Sequence, residues 1–361
     1  MPSTPTALDH LLATLKSPSL AAEFASRTDL WAEIKRLAEI HRFSGLLAYS
    51  TSVWLPASER PWRDLVLMQH HRRHRHFLDQ QRVFIDAFRA KGIPCVSLKG
   101  PLLAERIYAA PFLKFSHDLD ILVRLADIPA ATNLMNSLGF GLLGTFPWWV
   151  HRKYAHHLNF EGRSEVRLVE MHYALKAGAR LMPGEAFIER AVEWQAADGL
   201  ECRILSPADE VFYLIVHAAG HAFQRLRWLY DALAATKTLN AADRSGVRAL
   251  AIKMGLTGYL VAADMGCREF FGEPLPLDLS GFKKPWLWSG LQTRHLRTMT
   301  RREDYSFAAR TLDVCRMSGS PLSAVRLCLQ SAGGKVPTLL YRVTGGPVGP
   351  DVLARTIHQT N

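Results

Sequence analysis

Ser116-His117-Asp118-Leu119-Asp120-Ile121-Leu122-Val123 is the stretch on which the fold turns. Polar and apolar residues alternate from Asp118 onward, the period of a β-strand. On a strand, residues two apart point to the same side, so Asp118 and Asp120 project together while Leu119 and Ile121 face the opposite, buried side. Two carboxylates held this close repel unless a cation sits between them. Hard oxygen ligands of this kind suit Mg²⁺, which substrate phosphates and water then complete. Taken alone, the D-x-D pattern also fits a strand end with two solvated carboxylates.

Upstream, Ile93–Leu98 reads as a short strand, and Lys99-Gly100-Pro101 opens a helix running to about Tyr108, with Pro101 suited to the first turn. Ala110-Pro111 breaks it. A helix start offers free backbone N–H groups and partial positive charge, both suited to phosphate. Gly100 would let a phosphate approach the backbone and Lys99 could neutralise it, although the dipeptide alone is also an ordinary strand-to-helix turn. Downstream, Asp127–Leu138 reads as a helix closed by Gly139, and Phe140–Leu143 as a short strand. Lys153–Phe160 and Glu165–Tyr173 read as a hairpin about Glu161-Gly162-Arg163-Ser164. Glu170 and His172 share a side of its second strand. Glu170 is either a surface carboxylate or the third acidic group of a two-metal phosphoryl or nucleotidyl transfer site.

Around this centre the chain is helical. Leu11, Leu12, Leu15, Trp31, Ile34, Leu37 and Ile40 follow helical spacing, and Asp64–Lys91 reads as a long helix stopped by Gly92 and Pro94. Beyond about residue 185 the pattern is again helical. Pro207–Lys237 reads as one stretch N-capped by Ser206, and 243–271 and 302–330 as further helices. Residues 273–290 read as a linker, and 344–350 as a loose tail. The expected fold is α+β: a small mixed-sheet core at 92–184, an N-terminal helical region at 1–91, a helical region packing on the core at 185–272, and a C-terminal helical region at 273–361.

Composition bounds the function. The 361 residues carry 44 Lys+Arg against 33 Asp+Glu, a net charge of +11. That balance favours anionic partners such as nucleotides, phosphorylated substrates or RNA, but does not say where the basic residues sit. No apolar run reaches membrane-spanning length, and the first residues lack the basic and apolar regions of a secretory signal. Cys95, Cys202, Cys267, Cys315 and Cys328 are scattered, with no C-x-x-C pair, so a reduced, cytoplasmic protein without a cysteine zinc site is expected.

Strand-Lys99-Gly100-helix, then Tyr108 and Pro111, then Asp118-Leu119-Asp120-Ile121-Leu122-Val123, then Glu170-Met171-His172 together resemble the uncharacterised bacterial nucleotidyltransferases of the polymerase-β-like superfamily. The resemblance covers roughly Ile93–Tyr173. It extends to residues 205–235, where His217, His221, Arg227, Trp228 and Asp231 match an H-x-x-x-H and R-W-x-x-D pattern. It implies a nucleotidyltransferase fold in which Asp118, Asp120 and Glu170 are catalytic and bind Mg²⁺, with Mn²⁺ the alternative. Glu170 would hold a second metal or help deprotonate the attacking hydroxyl. Lys99 and Gly100 would cradle the triphosphate, with Ser97 and Lys114 as further nucleotide contacts. The family usually has arginine where this chain has Lys114, which keeps the charge and loses bidentate geometry. His172, His217, His221 and Asp231 would stand behind these groups. The implied reaction moves a nucleoside monophosphate, or a related phosphate-linked group, from a nucleoside triphosphate to a hydroxyl or phosphate acceptor on a peptide, saccharide, protein or RNA. A tailoring enzyme of ribosomally made peptides or surface polysaccharide, a toxin–antitoxin nucleotidyltransferase and a non-catalytic nucleotide-binding scaffold are rival readings.

Other residues carry open alternatives. His70, His71, His74 and His76 with Arg72, Arg73 and Arg75 make a basic helix segment: a solvated face, an anion-binding patch, or a metal site that lacks carboxylates. His217 and His221 are either satisfied, partly buried histidines or neighbours of the site. Asp231 can pair with Arg227 one turn earlier. His151, His156 and His157 precede the third strand and could reach the cleft. Trp148-Trp149 and Trp286-Trp288 could stack on a base or pack at a seam.

Overall fold

A computed structural model describes residues 7–16, 28–52, 55–143, 155–177 and 180–283. Trp148-Trp149, His151, Trp286-Trp288, the expected helix at 302–330 and the tail at 344–350 lie outside them. Among the described residues there are eleven α-helices and nine strands. The helices are α1 Ala7–Lys16, α2 Trp31–Ile40, α3 Ser44–Ser50, α4 Arg60–Ala90, α5 Gly100–Ile107, α6 Ile128–Ser137, α7 Glu185–Arg190, α8 Pro207–Gly220, α9 Leu226–Lys237, α10 Ala241–Met254 and α11 Thr257–Phe271. The strands are β1 Cys95–Ser97, β2 Asp118–Val123, β3 Gly141–Leu143, β4 His157–Glu161, β5 Leu168–His172, β6 Ala174–Ala177, β7 Arg180–Pro183, β8 Val192–Gln195 and β9 Glu201–Ile204.

Seven strands form one mixed sheet in the order β3-β4-β5-β2-β1-β9-β8, and β6-β7 form a separate hairpin. β2 runs parallel to β5 and antiparallel to β1; β1 runs parallel to β9. The α+β expectation holds. The chain is not purely helical after residue 185: β8 and β9 form an antiparallel hairpin that extends the sheet through β1. That hairpin packs Ala196, Leu200, Cys202 and Ile204 against Ile85 of α4 and Leu102 of α5.

The central strands of the sheet are buried on both faces. One face carries Leu119, Ile121 and Val123 of β2, Val169 and Met171 of β5, and Leu158 and Phe160 of β4, packed with Phe77, Phe84 and Phe88 of α4 and Ile128, Leu134 and Met135 of α6. On the other, Val96, Leu98 and Leu122 join a larger core with α1, α2 and the helices after the sheet. A strand buried on both sides reads as a continuous apolar run, as Ile121–Val123 does.

The helices after the sheet are held by ion pairs as well as apolar contact. Arg106 of α5 grips Glu210 of α8 through two hydrogen bonds of 2.6 and 2.5 Å, and Arg190 grips Asp209 through two of 2.9 Å. Ser206 caps α8 by accepting from the Asp209 backbone N–H. The expected single helix Pro207–Lys237 is two, parted where Ala222 and Phe223 take left-handed φ values of 51° and 53°. The stretch 243–271 is likewise broken, at Gly255 with φ 66°, a conformation that side chains disfavour and glycine adopts freely. No described helix is long and apolar enough to cross a membrane. Cys95, Cys202 and Cys267 are free thiols.

Candidate active site

The β2–β5 register builds the centre. Asp118 pairs with Leu168, Asp120 with Glu170 and Leu122 with His172. Directly paired residues point to the same side, so Asp118, Asp120, Glu170 and His172 share one face. β4 extends the row, with Asn159 opposite Glu170 and His157 opposite His172. Asp120, Glu170 and His172 each place a ligand atom within 4.8 Å of the others.

The charges are tightly interlocked. Lys99 Nζ lies 3.0 Å from Asp120 Oδ1, and the Lys99 side chain is 15% exposed against 2% for Asp120. His172 Nε2 lies 3.1 Å from the same oxygen and 3.4 Å from Glu170 Oε2. Burial opposes the charged form of Asp120, but Lys99 and the His172 hydrogen bond outweigh it and hold the carboxyl below its ordinary pKa. Burial also opposes the charge on Glu170, and again the His172 bond prevails, holding that carboxyl low. The two carboxylates act on His172 in return: burial disfavours its cation, yet they raise it above the usual histidine value. Asp118 goes the other way. Burial first, then the negative charge of Asp120, push it up to about 6 despite Lys99. This pocket is short of positive charge.

Lys99 and Gly100 stand where β1 passes into α5. Gly100 is the first residue of α5 with φ 79°, the left-handed region, and Lys99 caps it in an irregular conformation. A Cβ at Gly100 would meet only Leu119 Cδ2, at 3.7 Å, so its constraint is conformational and not steric. Lys99 Nζ also sits 5.7 Å from the Tyr213 ring centre, which brings α8 to the rim of the site.

Other expected residues fall in varied places. Ser97 is register partner to Ile121, so it lies on the face opposite the aspartates, buried among apolar neighbours. Lys114 donates to Asp231 at 2.7 Å, and Asp231 also accepts from Arg227 Nε at 2.9 Å and from the Tyr108 hydroxyl. The Arg227–Asp231 pair is the one its spacing predicted; Lys114 and Tyr108 are additional. His217 and His221 flank Trp228, with ring centres 5.2 and 4.9 Å from it and 4.8 Å from each other. Burial first, then Lys99 and His221, hold His217 well below the usual histidine range, so it is neutral.

In the sequence Arg73 stands only as one member of the basic 70–76 segment, whose alternatives are a solvated face, an anion-binding patch or a metal site. Its Nε donates to the Ser116 carbonyl at 2.5 Å, two residues before Asp118. It packs between the Phe77 and Phe115 rings, each 4.6 Å from the guanidinium carbon. With His70, His74 and Lys114 it lines a narrow crevice against Phe115 and Ser116. The inner side of the 70–76 segment is therefore packed on the loop leading to the aspartates. The clustering of basic residues at 70–76 is the sequence signal, and it does not tell which of them face the loop.

A sequence model of uncharacterised nucleotidyltransferases matches residues 28–272, two thirds of the chain and every described element except α1. The chain belongs to this family. It is a nucleotidyltransferase, an enzyme that transfers nucleotidyl groups. Among curated proteins no sequence match was found. Solved structures similar to this nucleotidyltransferase include a solution structure of the antibiotic-resistance factor ANT(2'')-Ia, at 14% identity and TM-score 0.34, covering 49% of this chain and 94% of that one. A crystal structure of ANT(2'')-Ia in complex with adenylyl-2"-tobramycin is similar at 13% identity and TM-score 0.34, over 48% and 98%. An antigenic nucleotidyltransferase-like protein from Paracoccidioides brasiliensis is similar at 12% identity and TM-score 0.32, over 55% and 97%.

Proposed function

We propose that this nucleotidyltransferase moves a nucleoside monophosphate from a nucleoside triphosphate to a hydroxyl or phosphate acceptor, with Mg²⁺ held by Asp118, Asp120 and Glu170. The observation that carries this reading is the register of β2 and β5, with Asp120 facing Glu170 and Asp118 on the same side. The donor set fits the ion: hard carboxylate oxygens, of which Asp118 lacks enough nearby cation to stay fully ionised. Bound there, the metal would neutralise charge on the α-phosphoryl group and the pyrophosphate leaving group. Mn²⁺ suits the same donors.

The chain's own groups divide the remaining work. The start of α5 presents backbone N–H groups to the phosphates, and the left-handed Gly100 shapes that entry. Lys99 holds Asp120 charged and is within reach of an arriving phosphate. His172 orients Asp120 and Glu170 together. Glu170, held ionised, serves better as a ligand than as a proton acceptor, since a low pKa makes a weak base. Arg73 puts positive charge beside Asp118, which suits an anionic substrate, whereas the charge of Lys114 is met by Asp231. The acceptor is defined by its nucleophilic oxygen, which peptides, saccharides, proteins and RNA all supply.

The test is transfer of label from each α-labelled nucleoside triphosphate with Mg²⁺, using wild type and Asp118→Asn. Label should move to an acceptor, with unlabelled pyrophosphate released, only in wild type and only with metal. Equal turnover by Asp118→Asn would refute the assignment.

A further inference from the structure

We infer that His156, His157 and His172 form a second metal site, distinct from the carboxylates and suited to a zinc-class ion. The rings converge where β4 meets β5. One ring nitrogen from each lies within 4.8 Å of the others. His156 Nε2 and His157 Nδ1 are 3.0 Å apart, and the His157 and His172 rings are 5.1 Å apart between centres. The register explains the placement, since His157 is the direct partner of His172. The 3.0 Å separation is a ring-to-ring hydrogen bond, and the two nitrogens need to part by only about 0.3 Å to sit on one tetrahedral ion with metal–nitrogen bonds of about 2.0–2.1 Å.

A second observation concerns His172 itself. It is 2% exposed, and its Nε2 is engaged with Asp120 and Glu170. Its Nδ1 is buried with no hydrogen-bond partner among the described residues. A buried imidazole nitrogen without a partner is costly. A metal-bound histidine characteristically gives its other ring N–H to a carboxylate, which fixes the ring and strengthens the ligand. His172 has that arrangement, with Nε2 on the carboxylates and Nδ1 open. Imidazole donors select zinc-class ions over Mg²⁺, whereas carboxylates suit Mg²⁺. The two sites therefore differ in the metal they prefer and meet at one ring. An ion on His172 would fix the ring that orients Asp120 and Glu170, making the three-histidine site a positioning device for the metal–phosphate site.

Co²⁺, whose visible absorption reports its ligands, is the probe. The full chain is titrated with Co²⁺ in excess Mg²⁺, so that Mg²⁺ competes for the carboxylates. One equivalent should bind with a nitrogen-ligated spectrum, and Zn²⁺ should displace it. Asp118→Asn should bind Co²⁺ as wild type does. His156→Gln should weaken Co²⁺ at least about tenfold, with its metal-free melting temperature unchanged. His156→Ala/His157→Ala should abolish the spectrum if it folds; the single variant decides the matter if it does not. Absence of Co²⁺ binding in Mg²⁺, or affinity unchanged in His156→Gln, overturns the site. Either result leaves the carboxylate reading intact, because that is judged by Mg²⁺-dependent nucleotide transfer.

Discussion

Lys99 Nζ lies 3.0 Å from Asp120 Oδ1, a lysine at a helix start neutralising the more deeply buried of the two strand aspartates. The pair joins the two halves of the candidate site, since Lys99 stands at the turn into α5 and Asp120 on the carboxylate-bearing strand β2. Removing one partner of a buried pair leaves the other charge uncompensated, at a cost of about 3–5 kcal/mol. Lys99→Met should lower stability by about that much in EDTA. Mg²⁺ should recover more stability in the variant than in wild type, because a cation then replaces the one lost. Thermal melts with and without Mg²⁺ check this; an equal Mg²⁺ effect in both proteins would speak against it.

The Asp231 cluster makes a separate prediction about stability. Lys114, Arg227 and Tyr108 all converge on one carboxylate that is 2% exposed. Asp231→Asn should cost about 3–5 kcal/mol in denaturant unfolding, because two buried cations lose their counter-charge. Lys114→Met added to Asp231→Asn should cost less than the separate losses combined, as expected of residues sharing one network.

Gly100 allows a local test. Gly100→Ala puts a side chain at φ 79°, where non-glycine residues are strained by about 1–2 kcal/mol. If this turn meets the phosphates as proposed, nucleotide affinity should fall with stability. Unchanged affinity alongside the stability loss would remove Gly100 from the phosphate contacts.

Acid should weaken the fold from the N-terminal helices as well. Burial first, then repulsion from Arg36, push His41 down to about 4, and its Nδ1 faces the backbone N–H of Leu226 at 3.5 Å. The native state therefore holds His41 neutral. Its contribution is fully present above the unfolded value near 6.5 and is lost as pH falls toward 4, by about 3 kcal/mol in total. His41→Gln should flatten unfolding free energy between pH 6.5 and 4; an unchanged slope would contradict this.

What was legible in the sequence was local. Alternation placed Asp118 and Asp120 on one face, Gly92 and Pro101 marked helix ends, and Glu170 and His172 fell on one side of a recognisable hairpin strand. Pairing distant in sequence was not legible. β8 and β9 are four residues each and β8 is largely exposed, so the alternation of Cys202 and Ile204 is too short to stand out; the hairpin is joined to the sheet by pairing of β9 with Val96 and Ser97, about a hundred residues earlier. The break between α8 and α9 carries no Pro at the bend. Its left-handed residues, Ala222 and Phe223, are buried, and tertiary packing imposes the conformation. Lys114 offered only its charge as a signal, which suits a phosphate as well as Asp231, and only the fold shows which partner it has.

The central claim is that Asp118, Asp120 and Glu170 hold a metal ion that in turn holds a nucleotide. Calorimetric titration with each of the four nucleoside triphosphates, in Mg²⁺ and in EDTA, tests it most directly. Wild type should bind at least one of them with Mg²⁺ and lose at least about tenfold in affinity in EDTA, and Asp120→Asn, shown folded by its melt, should lose the Mg²⁺-dependent part. Binding that is equal in Mg²⁺ and EDTA, or that survives Asp120→Asn unchanged, would contradict the account.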